Sequence, residues 1–288
     1  MYEAEQFPTM NEREKYLFDL QGFIVVKGLL STDEVKRLNE AVDANIDKHS
    51  EHDLRAVGPQ LEGKYLRSRI SGMLTWEHPW CQPFRDLLAH PQLIPYLNTL
   101  LGRGWKLDHE PDILTATAGT EGLVLHGDGN VTFNGSRFYA YQNGRMRCGL
   151  INCQFYMTDV NPGDGGLCVI PGSHKANYPC PEDIKLWEAN REIVYHIPLS
   201  AGDLVIFNEA TTHGTLPWKG KGERRTALYR YTPKYLHYHG GYYEADMPEW
   251  VSELTEAQQA VLEPPYIYHR PLIEADGTTL VRPRREGE

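Results

Sequence analysis

The sequence has no C-x-x-C pair, no apolar run near the roughly 18 residues that suggest a membrane span, and no surplus of basic side chains. Its five cysteines, at positions 81, 148, 153, 168 and 180, are odd in number and scattered. That pattern argues against a disulfide framework and a thiolate zinc cluster, and it fits a reducing, cytoplasmic compartment. No apolar segment near the start resembles a secretory signal. Acidic residues outnumber basic ones 39 to 29, for a net charge of −10. Nucleic acid and anionic membrane both want a basic face, so neither is an expected partner, while a local basic pocket for a small anion remains open. Internal repeats are missing too, and the only low-complexity stretch is the charged end at Arg282–Glu288.

What is present has a globular balance: 41% hydrophobic and 24% charged over 288 residues, enough to bury a sizeable core unaided. The chain reads as one domain over 1–288 with three textures: mostly helical to about 103, β-rich over about 104–232, and an extension over about 233–288. Gly22-Phe-Ile-Val-Val26 predicts a short strand. Ser31-Thr-Asp-Glu34 has the form of a capping box, and Val35, Leu38, Val42 and Ile46 continue as an amphipathic helix to about residue 48. Helical turns are expected at 83–88 and 93–101, with Gly102 as the stop. Short β-rich segments follow at 112–118, 122–128, 148–158, 166–170, 192–197, 203–208 and 224–232. Such spacing predicts a mainly β protein of the jelly-roll kind with flanking helices. The polar interval from Gly127 to Arg147 reads as a long loop, a candidate lid. A tyrosine-rich stretch from Pro233, a helix at 252–262 and a polar tail complete the chain.

The chemistry centres on Gly122-Leu-Val-Leu-His-Gly-Asp128. Residues i and i+2 of a strand share a face, so His126 and Asp128 would project together. His213 follows the strand-like Gly202-Asp-Leu-Val-Ile-Phe207. Two histidines and a carboxylate on one face make the facial triad of non-haem Fe(II) oxygenases. The H-x-[D/E] pattern alone is weak: 12 histidines and 39 acidic residues give about 1.6 chance matches, and two occur. The other, His49-Ser-Glu51, falls at the end of a predicted helix and reads as solvated surface. Corroboration comes from residues 213–226. On a strand from 224, Arg224 and Thr226 share a face and suit the distal carboxylate of 2-oxoglutarate, while Arg225 points away. The competing reading has both arginines solvating a strand edge.

Here the chain resembles the phytanoyl-CoA dioxygenase family of 2-oxoglutarate oxygenases. Asp19–Val26 with Leu30–Val35 resembles the family's entry strand and helix, and His126-Gly-Asp128 its metal motif. Asp159–His174, ending Pro-Gly-Ser-His, resembles its central stretch, and Gly202–Phe207, His213 and Arg224 have its spacing. The resemblance implies a double-stranded β-helix (cupin-like) core, Fe(II) on His126, Asp128 and His213, and Arg224 anchoring 2-oxoglutarate. By family position Thr215 and Thr226 would support the anchor, and Gln154 would touch the cosubstrate. The implied reaction consumes 2-oxoglutarate and O2, releases succinate and CO2, and hydroxylates or desaturates a small metabolite. Asp128 argues against halogenation, since halogenating relatives carry a small residue there. Gly163-Asp-Gly-Gly166 departs from the usual turn, and the expected effect is confined to that turn.

Other residues have two readings each. His174 reads as structural; His237 and His239 form a rival metal pair with no carboxylate at comparable spacing. Phe138, Tyr139, Tyr141, Tyr235, Tyr238, Tyr242 and Tyr243 either line a pocket for a partly apolar compound or pack. Arg67 and Arg69 read as surface residues. The negative chain, without a basic cluster near the expected lid, makes an acyl-CoA less attractive than a smaller metabolite. A zinc-dependent hydrolase and a non-catalytic β-helix binding module are the alternatives from other classes. Oligomeric state, substrate and position of oxidation leave no mark in the sequence.

Overall fold

The computed structural model describes residues 9–51, 60–127, 135–238, 247–274 and 276–281. The chain opens with α1 (Glu12–Gln21), β1 (Phe23–Val26), α2 (Thr32–Asp43), β2 (His49–Glu51), β3 (Gln60–Leu61) and β4 (Ser68–Ile70). Then come α3 (Gln82–Leu87), α4 (Ile94–Leu101), β5 (Lys106–Ala116), β6 (Gly122–His126), β7 (Tyr139–Gln142), β8 (Arg145–Cys148) and β9 (Ile151–Tyr156). The remainder is β10 (Gly166–Val169), α5 (Glu182–Lys185), β11 (Tyr195–His196), β12 (Leu204–Asn208), β13 (His213–Leu216), β14 (Arg224–Thr232), α6 (Glu256–Leu262), β15 (Leu272–Ile273) and β16 (Thr279–Leu280). No helix among the described residues is long and apolar enough to cross a membrane.

Two sheets carry the site. The larger has strand order β1-β12-β9-β14-β5-β4-β2, and the smaller β11-β10-β13-β6-β3. Alternation sorts the side chains of the central strands. On β9, Ile151, Cys153 and Phe155 join Ala227, Tyr229 and Tyr231 of β14 in a core beneath the helices. There they meet Phe18, Leu38, Phe84, Leu97 and Val261. The opposite faces of the same strands, with Tyr156, Val205 and Phe207, meet Leu167 and Val169 of the smaller sheet. Both faces are therefore buried, and polar residues at alternate positions point into the intersheet space.

The predicted helices form, with shorter limits. Ser31 and Glu34 cap α2 reciprocally, but the helix ends at Asp43, because the Asn45 amide donates to the Ala41 carbonyl (2.8 Å) and a 3-10 turn follows at Ile46–Lys48. Near the C-terminus Thr255 and Gln258 make another capping box, so α6 starts at Glu256, beyond the expected 252. The interval read as a loop contains the β7–β8 hairpin. Asn143 and Gly144, both at positive φ (54° and 75°), make its two-residue turn. Strand β5 begins at Lys106, earlier than expected, because its polar first half is buried against β14.

Candidate active site

Strands β6 and β13 pair antiparallel with His126 opposite His213, and the two ring centroids lie 4.2 Å apart. Each Nδ1 faces a carbonyl two residues back: Val124 at 3.0 Å from His126, Thr211 at 2.7 Å from His213. A carbonyl only accepts, so Nδ1 carries the proton and both Nε2 lone pairs are free for a metal. Burial pushes the His126 imidazole down to about 3, with the neighbouring His213 adding to the effect. Burial also lowers His213, against the opposing pull of Glu209. Both rings are thus held neutral, as ligation requires. Gly127 between the motif residues has φ +144°, and a Cβ there would stand 2.6 Å from the Thr211 carbonyl oxygen. Asp128 lies outside the described residues, and among the described residues no three metal-ligating side chains cluster.

The arginine occupies the facing sheet. β14 is central, between β9 and β5, so Arg224 is buried (3% exposed), not a solvated edge residue. Its Nε and the Thr226 hydroxyl have no hydrogen-bond partner, and Arg224 forms no ion pair among the described residues. A buried cation lacking a countercharge is costly, and the matching complement is an anion. The guanidinium lies 6.0 Å from the centroid of Tyr156, whose hydroxyl donates to Gln154 Oε1 at 3.0 Å. Thr226 pairs with Tyr156, and Leu228 with Gln154, so Arg224, Thr226, Tyr156 and Gln154 share one polar patch. Thr215 stands two residues beyond His213 on the opposing sheet, opposite Leu167. Gly166 (φ +87°) lies against the arginine, a Cβ there being 3.4 Å from Arg224 Nε. The Gly163–Gly166 stretch therefore does more than form a turn.

Three residues that the sequence did not single out complete the picture. Glu209 Oε2 lies 3.6 Å from His213 Nε2, and Oε1 accepts from Asn152 Nδ2 (2.8 Å) and Arg230 Nε (3.2 Å). Burial alone would raise this carboxyl, but the Arg230 guanidinium and the Asn152 amide draw it below the usual carboxylate range. For Asn152 the available signal was alternation, since Asn152, Gln154 and Tyr156 interleave with the apolar Ile151, Cys153 and Phe155.

Other expectations resolve individually. His174 is fully buried, 3.0 Å from the Asp19 carbonyl oxygen and edge-on to Tyr139, in keeping with a structural role. His237 has a carboxylate after all, Asp108 at 3.3 Å, reached through the fold and not through sequence spacing; His239 lies outside the described residues. Arg67 is buried beside Glu121 at 3.6 Å, so it is not a surface residue, whereas Arg69, its side chain 36% exposed, meets Asp112 at 3.6 Å and keeps its place at the surface. Tyr139 is buried and donates to the half-buried Asp19, whereas Tyr141, Tyr235 and Tyr238 are exposed; Phe138 is half-buried. Tyr242 and Tyr243 lie outside the described residues. A surface cleft of about 770 Å³, lined by Asp43, Asp164, Trp218, Glu223 and Arg225 among others, includes none of the site side chains.

The model of the phytanoyl-CoA dioxygenase (PhyH) family matches residues 18–226, a span that takes in both sheets' site residues. No curated protein matches the chain. HygX from Streptomyces hygroscopicus, solved with nickel and 2-oxoglutarate bound, is 22% identical with a TM-score of 0.65; the likeness covers 80% of this chain and 89% of HygX. SnoK, a non-heme alpha-ketoglutarate-dependent carbocyclase from nogalamycin biosynthesis, is 17% identical (TM-score 0.57; 80% and 88% covered). EctD from S. alaskensis, with 2-oxoglutarate and 5-hydroxyectoine, is 20% identical (TM-score 0.56; 81% and 79% covered). At such identities the structural likeness carries the double-stranded β-helix fold, and the family match carries the reaction class over the hydrolase and binding-module alternatives. The chain belongs to the phytanoyl-CoA dioxygenase family and is an iron- and 2-oxoglutarate-dependent oxygenase.

Proposed function

We propose that this oxygenase hydroxylates a small metabolite in the cytoplasm, with iron on His126, Asp128 and His213 and 2-oxoglutarate anchored by Arg224. The observation that carries the reading is the pairing of two neutral, Nδ1-tethered histidines on one sheet with a buried guanidinium lacking an ion-pair partner on the other. The chemistry supplied at that position is oxidative: 2-oxoglutarate and O2 are consumed, succinate and CO2 leave, and an oxygen atom enters the substrate. The protein's own part is positioning. The carbonyls of Val124 and Thr211 fix the tautomer and aim of the histidines. Arg224 and Thr226 would take the distal carboxylate as a forked donor and a hydroxyl, with Gln154 and Thr215 flanking it. The two cores on either side of β9 and β14 exclude bulk water from the Arg224 end.

A small metabolite fits the polar intersheet lining and the net charge of −10 better than an acyl-CoA does. Among the structural neighbours, HygX has been solved with hygromycin B bound. The direct test is succinate formation from 2-oxoglutarate under air. Fe(II)-dependent succinate that drops at least a hundredfold in His213→Ala supports the assignment. No succinate from folded, Fe(II)-loaded wild type, or unchanged output in His213→Ala, overturns it.

A further inference from the structure

The oxygenase reading leaves unexplained why a carboxylate is held at the edge of the histidine pair. Glu209 Oε1 is occupied by Asn152 and Arg230. Its Oε2 accepts no hydrogen bond from a described residue and stands 3.6 Å from His213 Nε2. That nitrogen carries no proton, because the ring's N–H goes to the Thr211 carbonyl. Two acceptors therefore face each other. The Asn152 amide nitrogen is committed to Glu209, so its oxygen is the free end; that oxygen is buried without a partner on a residue 2% exposed. Two acceptors without donors in the same buried region call for a ligand that donates. With the metal proposed above on His213 Nε2, Glu209 Oε2 and Asn152 Oδ1 remain as the acceptors to be met.

The carboxylate is also braced. Arg230 Nη1 donates to His109 Nε2 at 2.9 Å, and His109 Nδ1 lies 2.8 Å from Asp108 Oδ2. Asp108 Oδ1 accepts from the Tyr238 backbone N–H at 2.7 Å. A tethered guanidinium fixes which Glu209 oxygen is spoken for and which faces the site.

We infer that Glu209 and Asn152 form a substrate subsite beside the metal position, one that takes a hydrogen-bond-donating group, hydroxyl or ammonium, near the carbon to be oxidised. The inference rests on the oxygenase reading. Three probes of one shape separate the chemistries: cyclohexanol, cyclohexylamine and methylcyclohexane. Each is titrated anaerobically into protein loaded with Fe(II) and 2-oxoglutarate, following paramagnetic broadening of the ring protons by NMR. At least one donor probe should bind about tenfold or more tighter than methylcyclohexane, the size of a hydrogen bond to a charged acceptor. Which donor wins tells hydroxyl from ammonium. Glu209→Gln keeps an oxygen for Asn152 and Arg230 but turns an N–H into the site, so it should abolish the preference. Asn152→Leu, of similar volume, should weaken it severalfold and serves if the first variant does not fold. Equal binding of all three probes, or a preference that survives both substitutions, overturns the inference. So does loss of Fe(II) retention in Glu209→Gln, which would make the carboxylate a servant of the metal. The visible Fe(II)–2-oxoglutarate charge-transfer band of wild type is the control: without it the oxygenase reading falls, whereas a band with no probe preference sinks only the subsite.

Discussion

Arg224→Met should make the metal-free protein more stable while removing its response to 2-oxoglutarate. The guanidinium is 3% exposed, its Nε is orphaned, and it has no ion pair among the described residues. Burying such a charge costs several kcal/mol, and apolar replacement of buried charges in other proteins has gained about 1–4 kcal/mol. Methionine is flexible enough to fill the space beside Gly166 and Tyr156. For a chain of this size each kcal/mol moves Tm by roughly 2–4 °C, so a rise of about 2–16 °C is expected for the apoprotein. Wild type should gain the opposite way: 2-oxoglutarate with metal at a hundred times Kd adds about 2.7 kcal/mol. Differential scanning fluorimetry with and without both ligands reads both effects. A variant that melts several degrees below wild type, or that keeps the ligand-induced shift, would refute the claim that Arg224 is held at a cost for an anion.

Further expectations follow from the same geometry. Gly166→Ala puts an L side chain at φ +87° beside Arg224, so about 1–3 kcal/mol of stability should be lost in urea unfolding. Gly127→Ala should cost metal retention as well as stability, because its β-carbon meets the Thr211 carbonyl at 2.6 Å; colorimetric iron content after desalting checks it. Burial holds His174 at about 4 and His126 at about 3, both below the unfolded value near 6.5. The unfolded chain then binds more protons below pH 6.5, so apoprotein stability is full above that pH and falls as pH drops toward 4. The slope is on the order of 1 kcal/mol per unit per histidine. Urea unfolding at pH 7, 6 and 5 should show this, and His174→Gln should flatten it.

The sequence made the elements legible where local signals and tertiary context agree. Ser31–Glu34 announces α2, and the alternation of 224–232 announces β14 with its limits intact. The Asn143-Gly144 turn was an equally plain hairpin signal, hidden because the polar residues around it suited a loop. The histidine motif was readable from spacing, yet the proximity of His126 to His213 is a property of β6–β13 pairing that no local pattern encodes. Arg224 illustrates the limit most clearly. Next to Arg225 it looks like half of a solvated pair, and only the central place of β14 puts one arginine in the interior and the other on Asp43 and Glu223. Glu209, Asn152 and Arg230 come from three separate strands and loops, so their meeting is a long-range fact.

Whether these residues hold Fe(II) and 2-oxoglutarate together is read from anaerobic titration of both into the apoprotein. Wild type should show a visible metal-to-ligand charge-transfer band that is lost in His126→Ala and in Arg224→Ala at the same cosubstrate concentration. Iron uptake by wild type with no band, or a band undiminished in either variant, would contradict it.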